Sequence, residues 1–188
     1  MTTANTRQTI VVLNMSNMAG YVNNFIPGQK TRIDYKKLLK HAANNREIIG
    51  ALCVSQYDTV FMTNKSDEYR NKNKKFLSSL KSLGWSPLQV QYNMESKDTD
   101  PVFQGVWREI YTMLMDENDE PKYDFSNIDL VFVSGVASWM QVIKPFYING
   151  FSIEILFPKK GLSAELSRLF VTRDLNLESL IVNTFSNV

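Results

Sequence analysis

Three short segments carry the residues whose types and spacing bear on chemistry. Asn14-Met15-Ser16-Asn17 follows an apolar run at 10–13. Glu95-Ser96-Lys97-Asp98-Thr99-Asp100 follows the run LQVQY, and Ser134-Gly135-Val136-Ala137-Ser138-Trp139 follows IDLVFV. The middle segment supplies carboxylates, the ligands a hard dication takes when it keeps water and substrate phosphate in its shell. The outer two supply amides and hydroxyls, which hydrogen-bond well but leave such an ion uncompensated. Other chemistry is thinly represented. His41 is the single histidine, so no triad and no His-based metal cluster can form. Cys53 sits inside the apolar run IIGALCV and reads as an inert core thiol. Neither G-x-x-x-x-G-K-S/T nor G-x-G-x-x-G occurs, so no nucleotide cofactor is expected.

The elements that must position these segments follow from periodicity. Short apolar runs at 10–13, 48–54, 88–92, 128–133 and 151–157 read as five strands. Helical spacing separates them. Asp34 caps YKKLLKHAANN, Ser66 or Asp67 opens a basic helix that stops at Gly84, and Asp100-Pro101 begins a helix through Leu114. A helix over 138–149, kinked at Pro145 and closed by Gly150, and a short one over 163–170 complete the set. Alternation of this kind predicts an α/β domain: three α/β/α layers around a central, mostly parallel five-stranded sheet. Residues 1–9 read as a flexible leader, 10–182 as one domain and 183–188 as a tail. In such sheets ligands gather at the carboxyl ends of the strands where strand order reverses, the place the three segments occupy.

The 188 residues contain 21 Lys+Arg against 19 Asp+Glu, a net charge of +2, with 44% hydrophobic residues. That composition excludes wholesale disorder, collagen-like sequence and a coiled coil. No apolar run reaches the roughly 18–20 residues of a membrane span. The polar start MTTANTRQT and the lone cysteine predict a cytoplasmic protein.

The three segments together resemble the NYN domain family, a branch of the PIN-like metal-dependent ribonucleases. VVLNMSN is similar to the family's I-D-G-S-N, KDTDPVFQGVWREI to its K-G-V-D before a helix, and VFVSGVASW to its L-V-S-G-D-S-D-F. The resemblance spans roughly residues 10–180 and implies a site built from Asn14, Ser16, Asn17, Lys97, Asp100, Ser134, Gly135, Val136 and Ser138. It also implies that the metal-binding acids are mostly gone. The first family Asp falls on Asn14, two later ones on Val136 and Ser138, and a helix acid on Val106, while Asp100 is retained. The expected protein is therefore a pseudo-nuclease with no catalytic residues, able at most to hold Mg²⁺ or Mn²⁺ weakly at Asp100. The competing expectation is an active ribonuclease with displaced ligands at Glu95, Asp98 and Asp100. An Asn- and Lys-rich chain of this kind also resembles proteins of large bacteriophages.

Capping and turn roles account for several of these residues without any ligand. Asn14 suits a turn after a strand, Ser138 an N-cap and Gly135 a tight turn. Two surface features remain as binding sites. Met15, Met18, Tyr21, Phe25 and Trp139 surround the degenerate site and suggest a protein-partner surface, with a recognition loop over 18–30. Lys65, Arg70, Lys72, Lys74 and Lys75, with a second cluster at Lys30, Arg32, Lys36, Lys37 and Lys40, suggest RNA binding. A protein-binding adaptor is the first expectation and an RNA-binding protein the alternative.

Overall fold

In the computed structural model the described residues are 7–25, 31–57, 65–91 and 100–183. A fully parallel six-stranded sheet runs in the order β4-β3-β1-β5-β6-β7, formed by β1 (Gln8–Asn14), β3 (Glu47–Tyr57), β4 (Ser86–Gln91), β5 (Ile128–Val133), β6 (Ser152–Phe157) and β7 (Val171–Asp174). The expected α/β/α sandwich is therefore present with one more strand than its sequence pattern suggested. The sixth, VTRD at the sheet edge, has three of four residues exposed and so lacks the apolar run that marks its neighbours. A separate antiparallel pair joins β2 (Thr31–Ile33) to β8 (Ile181–Asn183).

The core follows the strand period. Ile10 and Val12 of β1 face one side of the sheet with Leu130 and Phe132 of β5, while Val11 and Leu13 face the other with Val131 and Val133. On the first side pack helices α4 (Asp100–Leu114) and α5 (Met140–Ile148) and the short α6 (Ala164–Leu169). On the second side pack α1 (Met15–Phe25), α2 (Tyr35–Ala43) and α3 (Asp67–Ser82). Caps set several boundaries: Asp34 accepts from the Lys37 amide at 2.9 Å, Ser66 from Tyr69, and Gly84 and Gly150 take φ of 90° and 87° after α3 and α5.

Two expectations about the chain's ends and loops are corrected. Residues 7–9 belong to the fold, because Gln8 starts β1, Thr9 is fully buried and Arg7 is ion-paired with Asp129. Asn183 likewise pairs with Thr31. The stretch expected as a recognition loop from Met18 is helix α1 as far as Phe25, which begins directly at the end of β1. No helix among the described residues is long and apolar enough to cross a membrane.

At the amino ends of the strands lies a polar clasp that sequence reasoning missed. The Arg46 guanidinium spans Asp129 at 3.0 Å and Glu154 at 2.8 Å, and Arg7 reaches Asp129 from the other side. Arg46 and Arg173 also donate to the last carbonyls of α2, at Ala42, Ala43 and His41, holding the negative end of that helix dipole. Burial alone would raise the Asp129 carboxyl, but hydrogen bonds from Arg7, Ser152 and Arg46 hold it below the ordinary carboxylate value.

Candidate functional site

Strand order reverses between β1 and β5, so their carboxyl ends define the switch point. Four of the expected site residues meet there. Asn14, 3% exposed, donates from Nδ2 to the Ser134 hydroxyl at 3.2 Å, and its Oδ1 accepts from the Asn17 amide at 3.1 Å. Asn17 Oδ1 in turn accepts from the Gly135 amide at 2.8 Å. Asn14 is thus both the last residue of β1 and the side-chain cap of α1. The three hydrogen bonds link neutral donors and acceptors into a ring that the Ser134–Gly135 peptide closes.

Behind it the crevice is filled by the protein's own side chains. A Cβ on Gly135 would lie 2.3 Å from Phe157 Cδ1 and 2.5 Å from the Gly161 carbonyl oxygen. Gly161 is equally confined, with Tyr21 Cε2 2.2 Å from where its Cβ would be. Tyr21 meets Phe157 edge-on at 5.1 Å between ring centroids. Gly135 was expected to permit a tight turn; the glycine is needed here because Phe157 and the 158–162 segment press against it.

The remaining expected positions separate. Ser16 is exposed on α1, and Ser138 is exposed in the 3₁₀ turn Ala137–Trp139. The expected N-cap role of Ser138 is not found: α5 starts at Met140 with no side-chain cap. Val136 packs against the core, and Val106 is fully buried in it. Asp100 is the first residue of α4; its side chain, and Glu95, Lys97 and Asp98, lie outside the described residues. The donor set that is described, an amide, a hydroxyl and a glycine, does not fit a hard dication, which takes carboxylates. Among the described residues no three His, Cys, Asp or Glu side chains cluster where they could hold a metal ion.

The partner surface expected around this site is corrected in part. Met18 and Trp139 are 1% exposed and belong to the two cores, so neither can contact a partner. Met18 was expected in a recognition loop, whereas it lies on the buried face of α1. Met15 packs against the core with its sulfur 3.6 Å from Cys53 Sγ, and burial pushes the Cys53 thiol up to about 12. The side chain of Phe25 lies outside the described residues.

The basic residues behave differently, because folding unites their two clusters. Helices α2 and α3 lie side by side, joined by a Tyr35–Phe76 edge contact at 5.7 Å and by Trp85, whose indole donates to the Tyr35 carbonyl. Two open grooves adjoin at Leu83. One, of about 830 Å³, is lined by Lys36, Lys37, Lys40, His41 and Arg46. The other, of about 610 Å³, runs between α1, α2 and α3 and carries Arg32 and Lys75. No carboxylate lines either groove among the described residues. Of the α3 cluster, Arg70 and Lys72 are paired with Asp67 and Glu68 of the same helix, Lys65 lies 5.4 Å from the Tyr69 ring, and Lys74 and Lys75 are exposed. Lys30 lies outside the described residues.

This arrangement places the chain among doubly wound, parallel α/β proteins. No family model matches the sequence, and no curated protein does. Among solved structures the chain is similar to the crystal structure of a protein of unknown function, VPA0982, from Vibrio parahaemolyticus, with a TM-score of 0.63 at 11% identity over 97% of this chain and 100% of that one. At that identity the likeness concerns the fold.

Proposed function

We propose that this chain is a non-catalytic, pseudo-nuclease-like adaptor that holds single-stranded RNA along the face made by α2 and α3. The carrying observation is the pair of adjoining grooves at Leu83, lined by Lys36, Lys37, Lys40, Arg32 and Lys75 with no carboxylate among the described lining residues and with Asp34 3.9 Å from Lys37. Phosphate contacts from such side chains supply most sequence-independent affinity for nucleic acid, through release of condensed counterions. On this face Asp34, Asp67 and Glu68 offset Lys37, Arg70 and Lys72, while a further group of acids lies elsewhere. Asp116, Glu117, Asp119, Glu120 and Asp124 follow α4, in the opposite helical layer.

The non-catalytic part of the reading is supported by the closed ring of Asn14, Asn17, Ser134 and Gly135 and by the filled crevice behind it. Among the described residues this strand end offers no carboxylate to hold a metal-activated water beside a phosphodiester. The test combines binding and integrity of one labelled RNA in Mn²⁺. Wild type retains the RNA uncleaved, and Lys36→Glu/Lys37→Glu/Lys40→Glu releases it. Cleavage that needs Mn²⁺ and disappears in Asp100→Asn would establish the displaced-ligand ribonuclease instead.

A further inference from the structure

At the opposite end of the sheet from Asn14 and Ser134, before the amino ends of β5 and β6, a cavity of about 200 Å³ opens between α4 and α5. Its walls are aromatic: Trp107 meets Phe146 at 5.1 Å, Phe146 meets Phe151 at 6.1 Å, and Phe151 stacks on Phe125 at 5.8 Å. Tyr111, 40% exposed, and Met115 form the rim. Apolar cavities of roughly 150 Å³ admit a benzene ring, so this one has room for a single large apolar side chain.

The same two rim residues, Tyr111 and Met115, line an adjoining surface groove of about 500 Å³ with Asp116, Glu117, Asp119 and one cation, Lys122. The segment 116–124 holds five carboxylates against one lysine, and none of the five is ion-paired among the described residues. Asp116 is fixed by the amides of Asn118 and Glu120, and Asp124 by Ser126 and Asn127, so the turn holds its charge in a set shape.

We propose that this cavity and its acidic flank are the docking site for a basic segment of a partner protein. One aromatic or branched aliphatic side chain of that segment enters the aromatic cavity, and Lys or Arg beside it lie along Asp116, Glu117 and Asp119. Charge complementarity selects the occupant: the cavity alone would take any apolar side chain, but five carboxylates against the single Lys122 leave the flank acidic, favouring a cationic segment and repelling an acidic one. The site lies in the opposite helical layer from the basic grooves of α2 and α3, so the two surfaces can be occupied together.

The probe is a synthetic peptide with a central 4-bromophenylalanine flanked by lysines, whose bromine quenches indole fluorescence at contact. Trp107 lines the cavity, whereas Trp85 and Trp139 are 2% and 1% exposed in the cores, so contact quenching reports on Trp107. Saturable quenching is expected, lost in Trp107→Phe and weakened about tenfold or more when the peptide lysines become glutamates. The surface double variant Glu117→Lys/Glu120→Lys should weaken the peptide to a similar degree with an unchanged unfolding midpoint. Lys36→Glu/Lys37→Glu/Lys40→Glu should leave quenching unaltered, which separates this site from RNA binding. No quenching up to millimolar peptide, or equal quenching by the lysine and glutamate peptides, overturns the proposal. So does self-association of the protein alone that Glu117→Lys/Glu120→Lys abolishes, since the occupant would then be a second copy.

Discussion

Restoring the acid that the family pattern places at the end of β1, by Asn14→Asp, probes the switch point directly. Asn14 is 3% exposed, its Oδ1 accepts from the Asn17 amide, and its Nδ2 donates to the Ser134 hydroxyl. A protonated Asp keeps both bonds, donating to Ser134 as the amide does. An ionised Asp keeps them only if the Ser134 hydroxyl turns to donate, and none of the ion pairs among the described residues involves this cluster. Desolvation without a cation raises a buried carboxyl, and a rise of about two units corresponds to about 3 kcal/mol. The sign follows from linkage. With a folded pKa above the unfolded value of about 3.9, the folded variant binds its proton more tightly than the unfolded chain. The variant should therefore match wild type near pH 3, fall behind as pH rises from about 4 to 6, and stay about 3 kcal/mol less stable at pH 7. Urea unfolding at a series of pH values reads this difference from the midpoints. Loss of the Asp129 clasp in acid is common to both proteins and cancels. A pH-independent difference would refute the argument, as would Mg²⁺ restoring stability to the variant, because that gain requires a formed metal site.

Three further outcomes follow from the same structure. Gly135→Ala should cost about 1–3 kcal/mol by overpacking against Phe157 and the Gly161 carbonyl, and a urea midpoint equal to wild type would show the crevice to be open. Asp129→Ala should cost about 1–3 kcal/mol, because Arg46 and Arg7 lose their charged hydrogen bonds to it while Arg46 keeps Glu154. In wild type the depressed Asp129 pKa contributes stability above about pH 4 that is lost as pH falls through the folded value, so pH-independent acid stability would contradict the clasp. His41, the single histidine, is shifted below its ordinary value by burial and then by Arg173, and it lines the larger basic groove. Its NMR titration should give a pKa below 6.5 in the free protein and a higher one with RNA bound, and an unmoved pKa would place the RNA elsewhere.

Much of this architecture was legible in the residues. The apolar runs marked the buried strands because they pack on both faces, and Asp34, Ser66, Gly84 and Gly150 marked helix ends through caps that act locally. What periodicity could not show was pairing at a distance. Asn14, Asn17, Ser134 and Gly135 were each identifiable at strand ends, but their closure into one ring spans 118–120 residues of sequence. Phe157 and Tyr21, which fill the crevice, carried no local mark of that role. The Arg46 clasp had one unused signal, a lone Asp129 or Glu154 inside an otherwise apolar strand, which demands a buried cation. Met18 was misplaced on the surface because helix α1 follows β1 with no turn residues between them, and Trp139 because its short 3₁₀ turn after β5 has no apolar period of its own. The two basic clusters suggested RNA binding from their composition, but that α2 and α3 lie side by side was not legible in the sequence.

The salt dependence of RNA affinity tests the central claim most directly. For single strands the logarithm of the binding constant falls with the logarithm of salt concentration at a slope of about −0.7 per neutralised phosphate. Three or four contacts along the grooves of α2 and α3 therefore predict a slope of about −2 to −3 by anisotropy of a labelled oligonucleotide. Lys36→Glu/Lys37→Glu/Lys40→Glu should weaken binding at low salt and flatten that slope, and Lys75→Glu should reduce it by about one contact. No binding at low salt, or a slope unchanged by the triple reversal, would contradict the assignment of the basic face.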